Sequence, residues 1–199
     1  MTAPIILASA SQIRHQLLTQ AGIAHQVIPA RIDEEMIKSA LLAEAAPPRD
    51  IADTLAEMKA RKISEKHSDA MVLGCDQVLS FDNAILSKPR DPNDLRDQMT
   101  AMQGKSHQLL SAIVLYEGAK PVWREVAQVT LTMRPLSQAY LNSYIDRNWH
   151  SVQHSVGGYK LEEEGVRLFT KISGDYFSVL GLPMLGLISY LTQRGVLSA

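Results

Sequence analysis

A chain of 199 residues, 46% of them hydrophobic, is long enough to bury a full core in one domain or two closely packed lobes, and it is not a disordered tail. Its 20 basic and 21 acidic residues leave a formal net charge of −1, so no global field advertises nucleic acid or an anionic membrane as partner. The single cysteine, Cys75, excludes an internal disulfide and a cysteine-based zinc site and suits a reducing compartment.

No window reaches the ~18 apolar residues of a membrane span. Nor does the N-terminus show the basic start and apolar core of a signal peptide, so the expectation is a cytoplasmic protein.

Ile5 to Ala8 reads as a short strand that ends in Ser9-Ala10-Ser11, after which Ile13, Leu17 and Leu18 recur at helical spacing up to Gly22. Ser11 is the expected N-cap. A serine turn at a helix N-terminus favours an anion, and Arg14 lies one turn in, although many helices begin with Ser and carry an Arg. His25 to Pro29 reads as a second strand, followed by the acidic cluster Asp33-Glu34-Glu35, which by itself is the start of a solvated helix. From Pro47-Pro48 an amphipathic helix runs to about His67, with Ile51, Leu55, Met58 and Ile63 on one face and Lys59, Arg61, Lys62 and Lys66 elsewhere.

Met71 to Leu79 is an apolar, β-prone run with one carboxylate, Asp76, in its far half. An ionised carboxylate in a buried strand is expensive unless a cation, a metal or several donors meet it, so Asp76 either caps a neighbouring loop or has a functional role. Cys75 beside it reads as a small core residue and not as a nucleophile. Phe81 to Ala84 forms a hairpin tip, and the return limb ends at Lys88, where Pro89 blocks further pairing.

Asp91 to Gly104 is helical, Ser106–Tyr116 and Val122–Met133 form a strand pair turning at Glu117-Gly118, and Leu136 to Arg147 is a helix with Ser137 at its start. Trp149 to Gly158 is the least periodic stretch. After Glu162-Glu163-Glu164, the residues Val166 to Phe169 with Ile172 suggest a strand, and Pro183 opens a final helix to about Arg194. Helices and strands intermix throughout with hairpins among them, which indicates α/β or α+β with a mixed sheet. No G-x-G-x-x-G follows a strand, so a dehydrogenase-like dinucleotide site is set aside.

Several of these stretches together resemble the Maf family of nucleoside triphosphate pyrophosphatases. They are Leu7-Ala8-Ser9-Ala10-Ser11 with Arg14, Ile32-Asp33-Glu34, Leu55-Ala56 with Lys59-Ala60, Gly74 with Asp76-Gln77-Val78, Leu86 with Lys88-Pro89, and Gly174-Asp175-Tyr176 through Gly181-Leu182-Pro183. Order and spacing match from residue 5 to about 195, so the resemblance implies one such domain over 1–199. It implies an elongated mixed sheet flanked by helices, similar to the inosine triphosphate pyrophosphatases, with two lobes and a central cleft, and often a homodimer. Its chemistry would be hydrolysis of a nucleoside triphosphate to monophosphate and pyrophosphate with Mg²⁺ or Mn²⁺.

Carried onto this sequence, the resemblance makes Asp76 the proton acceptor, places Glu34 with Asp76 near the metal, and assigns Ser9, Arg14, Lys59 and Lys88 to the phosphates. Arg and Lys from separate elements are the expected clamps, because a triphosphate carries about four negative charges that a near-neutral protein must meet at one spot.

Ile13, Gln77 and Glu162 fall where the family chooses its base. Members commonly read Ser-Pro-Arg-Arg in the first turn, where this chain has Ser11-Gln12-Ile13-Arg14. Gln77 after Asp76 and Glu162 after Gly158-Tyr159-Lys160-Leu161 look more like the branch that takes 7-methyl-GTP than the one that takes dTTP and UTP. A carboxylate there suits a guanine-like base, since it accepts from N1–H and N2–H₂. Ile13 stacks less well on a ring than the aromatic residue of that branch. Two readings of the glutamate run stay open, base recognition and a solvated loop. The missing first-turn cation also leaves a second function, a nucleotide-binding regulator of division or septum formation with little turnover.

Overall fold

The structure, a computed structural model, describes residues 3–198. Its elements in chain order are β1 (Ile5–Leu7), α1 (Gln12–Gln20), β2 (His25–Val27), α2 (Glu34–Ala43), α3 (Pro48–Ser64), β3 (Met71–Phe81) and β4 (Ala84–Leu86). There follow α4 (Pro92–Met102), β5 (Ser106–Glu117), β6 (Lys120–Met133), α5 (Gln138–Val152), β7 (Phe169–Ser173), α6 (Tyr176–Val179) and α7 (Met184–Gln193). Seven strands make one mixed sheet in the order β2-β1-β3-β5-β6-β7, with β4 paired to β3 off this path. The fold is therefore α/β with a mixed sheet, as the sequence indicates.

Two compact units divide the chain, the first holding residues up to 77, 111–127 and from 175 onward, the second holding 78–110 and 128–174. In the first, β1 pairs in parallel with both β2 and β3, bringing Leu7 level with Leu73. Parallel neighbours need crossover connections, and α1 and the α2–α3 segment supply them. Leu7, Leu18, Leu73, Cys75, Ile113, Leu182 and Leu187 form the core beneath these helices. Gly74 is the point of closest approach: a Cβ there would lie 2.1 Å from the Ala56 carbonyl oxygen and 2.6 Å from the Ala60 nitrogen. Only glycine lets α3 lie this close to β3, and that contact is what brings Lys59 over the strand.

In the second unit, α4 packs with α5 around buried Leu95, Met99, Met102, Leu141, Tyr144 and Ile145. Phe81 and Ala84 close the β3–β4 hairpin across Asp82 (φ 48°) and Asn83 (φ 63°), the left-handed pair that a two-residue turn of matching twist requires.

Both expected hairpins form, but the return limb β4 ends at Leu86 rather than Lys88 and the β5–β6 turn falls at Gly118-Ala119 rather than Glu117-Gly118. Other local expectations were corrected. Ser11 sits at the start of α1, but its hydroxyl makes no capping bond; its backbone N–H donates instead to Ser9 Oγ at 3.3 Å. Helix α5 is indeed capped by Ser137, whose hydroxyl accepts from the Tyr140 N–H, but it runs on to Val152 rather than stopping at Arg147. The strand expected from Val166 starts only at Phe169, because Glu164–Leu168 is a 3₁₀ turn. Gly165 lies within van der Waals range of the Lys160 backbone there, and so tight a bend leaves no extended chain to pair.

Candidate active site

Four elements of the first unit converge on Asp76. The carboxylate is 7% exposed near the middle of β3, and Lys59 from α3 donates to its Oδ1 at 2.6 Å. The same ammonium lies 2.8 Å from Glu34 Oε1 at the first residue of α2, a helix capped by Asp33 through the Met36 N–H. Lys59 thus bridges two carboxylates with two of its three donors. Burial pushes the Asp76 carboxyl above its ordinary range; Lys59 and Arg14 oppose that shift and Glu34 adds to it. Asp76 Oδ2 has no hydrogen-bond partner among the described residues.

Arg14 of α1 is 8% exposed and held on three sides. Its Nε donates to the Gly181 carbonyl at 2.8 Å, and its Nη1 donates to the Cys75 carbonyl at 2.9 Å and to Ser9 Oγ at 3.2 Å. Its Nη2 keeps both N–H groups unengaged among the described residues, and the Ser9 hydroxyl, which accepts from Arg14 and from the Ser11 N–H, keeps its own proton to donate. Gly181 accommodates this clamp with φ +85°, and a Cβ there would stand 3.0 Å from Nη2. Cys75 contributes only its carbonyl, since full burial pushes its thiol up to about 11 and keeps it un-ionised.

Gln77, next along β3, turns its amide nitrogen to the segment after β7. Nε2 donates to Ser111 Oγ at 2.8 Å and lies 3.1 Å and 3.0 Å from the Ser178 and Val179 carbonyls. Ile13 packs, partly buried, against the apolar core of this unit. Among the described residues no group of three or more His, Cys, Asp or Glu side chains converges to hold a metal ion. Two oxygen-bearing side chains, Glu34 and Asp76, do face one cation, Lys59.

Lys88 and Glu162 belong to the second unit. Lys88 is exposed just past β4 and has no ion pair or hydrogen bond among the described residues. The three glutamates separate clearly. Glu164 is taken by Arg147, Asn148 and Arg167, which hold its carboxyl down at about 2, and Glu163 by Ser151 and Lys160. Glu162 is exposed and has no partner among the described residues. Its loop is anchored from behind, since Tyr144 donates its hydroxyl hydrogen to the Gly158 carbonyl at 3.2 Å and Tyr159 Oη lies 2.7 Å from His107 Nε2.

A family profile described as "Maf-like protein" matches residues 4–194. The chain belongs to the Maf family. It is 60% identical over 197 residues, 99% of each chain, to a protein of Ruegeria pomeroyi named nucleoside triphosphate pyrophosphatase. A Roseobacter denitrificans relative with the same name is 60% identical over 195 residues, 98% of each chain. A Rhizobium meliloti protein named 7-methyl-GTP pyrophosphatase is 42% identical over 195 residues, again 98% of each chain. No helix among the described residues is long and apolar enough to cross a membrane.

Sequence reasoning passed over Ser111, His107 and the Gly181 carbonyl. The first two carry the signal that exposed Asp76: each is a polar side chain inside an apolar β-prone run, Ser106 to Tyr116. A backbone acceptor such as Gly181 carries no side-chain signal at all.

Proposed function

We propose that this protein hydrolyses nucleoside triphosphates to the monophosphate and pyrophosphate in the cytoplasm, preferring those with a guanine-like base, such as 7-methyl-GTP. The observation that carries the reading is the buried Asp76 carboxylate beside Lys59, with Oδ2 unpartnered and Arg14 Nη2 and the Ser9 hydroxyl free to donate within the same unit. The buried, unpaired Cys75 suits a reducing compartment.

Each residue has a physical task in this mechanism. Asp76 Oδ2 accepts the proton of the attacking water, and burial, by raising the carboxyl, makes it a better base near neutral pH. Lys59 fixes Oδ1 and keeps the carboxylate in one rotamer, and its third N–H is left for a phosphate oxygen. Arg14 and Ser9 add donors to the non-bridging oxygens, where charge builds as the P–O bond breaks. Lys88, an uncommitted cation, supplies a further phosphate contact.

A divalent magnesium or manganese ion fits the donor set. Such hard ions take oxygen ligands and are commonly held by one or two carboxylates plus substrate phosphates, and Glu34 with Asp76 offers that number. When bound, the ion offsets charge on the pyrophosphate leaving group. Base choice rests on Glu162, which alone of its run is unpartnered and can accept from adjacent N–H donors of a guanine edge. Purified protein with Mg²⁺ or Mn²⁺ and a nucleotide panel is expected to release pyrophosphate, fastest from 7-methyl-GTP. Inertness toward every nucleotide tried would refute the reading.

A further inference from the structure

Ser111 lies in β5, fully buried, with a hydroxyl that works in two directions. It donates to the Ser178 carbonyl at 2.6 Å and accepts from Gln77 Nε2 at 2.8 Å. The Ser178 and Val179 carbonyls can only accept, so the NH₂ end of the Gln77 amide must face them. Four polar groups, the Gln77 amide, the Ser111 hydroxyl and the Ser178 and Val179 carbonyls, therefore close a latch that ties β3 and β5 to the short helix α6. Two residues beyond Val179 the chain reaches Gly181, whose carbonyl receives Arg14 Nε. The path from Ser111 to the guanidinium is continuous: hydroxyl, α6 carbonyls, the left-handed Gly181 and the Arg14 fork. Buried polar groups joined in this way fix one arrangement strongly, because the low local dielectric strengthens each bond and penalises each unpaired end.

We infer that Ser111 is a positioning residue for phosphate binding: with Gln77 it latches the 176–181 segment so that Gly181 holds the Arg14 guanidinium in its phosphate-facing orientation. The inference rests on the proposed role of Arg14. It assigns Gln77's amide nitrogen to the latch, so loosening the latch acts on the phosphates, common to every nucleotide, and not on the base.

The test compares Ser111→Ala with the conservative Ser111→Thr, which keeps the hydroxyl. Ser111→Ala is expected to raise KM about tenfold for every nucleotide hydrolysed, with the ranking of bases unchanged and kcat lowered less than about threefold. Calorimetric affinity for inorganic pyrophosphate should fall by a similar factor, amide hydrogen exchange across 176–181 should quicken, and Ser111→Thr should restore all three. Unchanged pyrophosphate affinity in a folded Ser111→Ala protein, or an altered base ranking, overturns the inference while leaving the hydrolase reading intact. Wild type that binds pyrophosphate in a Ser111-dependent way yet hydrolyses nothing defeats the hydrolase reading alone, and wild type that binds no pyrophosphate defeats the latch.

Discussion

Lys59 Nζ lies 2.6 Å from Asp76 Oδ1, and both side chains are at most a tenth exposed. With one oxygen held by this cation and the other without a partner among the described residues, the carboxylate has a fixed direction, which is what the proposed role of Asp76 as base requires. Asp76→Asn keeps the shape, leaves Lys59 paired with Glu34, and replaces the buried carboxylate with an amide that cannot take up a proton near neutral pH. Turnover is expected to fall about 10²- to 10⁴-fold with the melting temperature close to wild type. Pyrophosphate release and a thermal scan on the same sample check both halves; a variant that stays folded with full activity shows that Asp76 is not the base.

Lys59→Met leaves Asp76 buried without its cation, and removing one partner of a buried ion pair costs about 3–5 kcal/mol. The loss depends on pH in a definite sense. Asp76 already lies above its ordinary value of 3.8, and without Lys59 it rises further. A carboxyl raised in the folded state has its full stability below 3.8 and loses it as pH climbs through the folded value. Denaturant melts should therefore show the deficit of Lys59→Met against wild type to be largest near neutral pH and to shrink toward pH 4. A constant deficit would mean that Lys59 stabilises through packing alone.

Gly74→Ala tests the backbone arrangement that delivers Lys59. A methyl 2.1 Å from the Ala56 carbonyl oxygen can be relieved only by lifting α3 from β3, since the clashing atoms are backbone of Ala56 and Ala60 and the Ala60 Cβ, none of which can swing aside. Overpacking of this kind costs about 1–3 kcal/mol. Lys59 moves with α3, so kcat should fall in a protein that still folds, and chemical denaturation with pyrophosphate release measures both. Equal stability and activity in the variant would show that the two elements are free to separate.

How much of this was legible in the sequence follows from what each residue advertises. Asp76 stood out because a carboxylate in an apolar run breaks the pattern, and Lys59 could be placed on a helix by periodicity. Their pairing could not, since it depends on the approach at Gly74 between segments separated in sequence. Three adjacent glutamates look alike as letters; Arg147, Asn148 and Ser151, brought up from α5, together with Lys160 and Arg167, separate Glu162 from its neighbours. Val166 to Phe169 has β-prone composition, yet the tight turn at Gly165 overrides it.

His107 gives the last expected outcome. It is 2% exposed in β5, its Nε2 meets the Tyr159 hydroxyl, and its Nδ1 is buried without a hydrogen-bond partner among the described residues. Burial lowers the imidazole from 6.5 to about 4, so it stays neutral in the folded protein while the unfolded chain takes up a proton below 6.5. The unfolded state thus binds more protons between those values, and stability falls as pH drops from 6.5 to about 4, by about 3 kcal/mol. His107→Gln has no group to titrate there, so its stability against pH should be flatter than wild type over that window, while the other histidines cancel in the difference. Because His107 holds Tyr159, three residues before Glu162, the same variant should weaken discrimination among bases more than it lowers kcat. Parallel stability profiles for the two proteins would show that the imidazole is not kept neutral by burial.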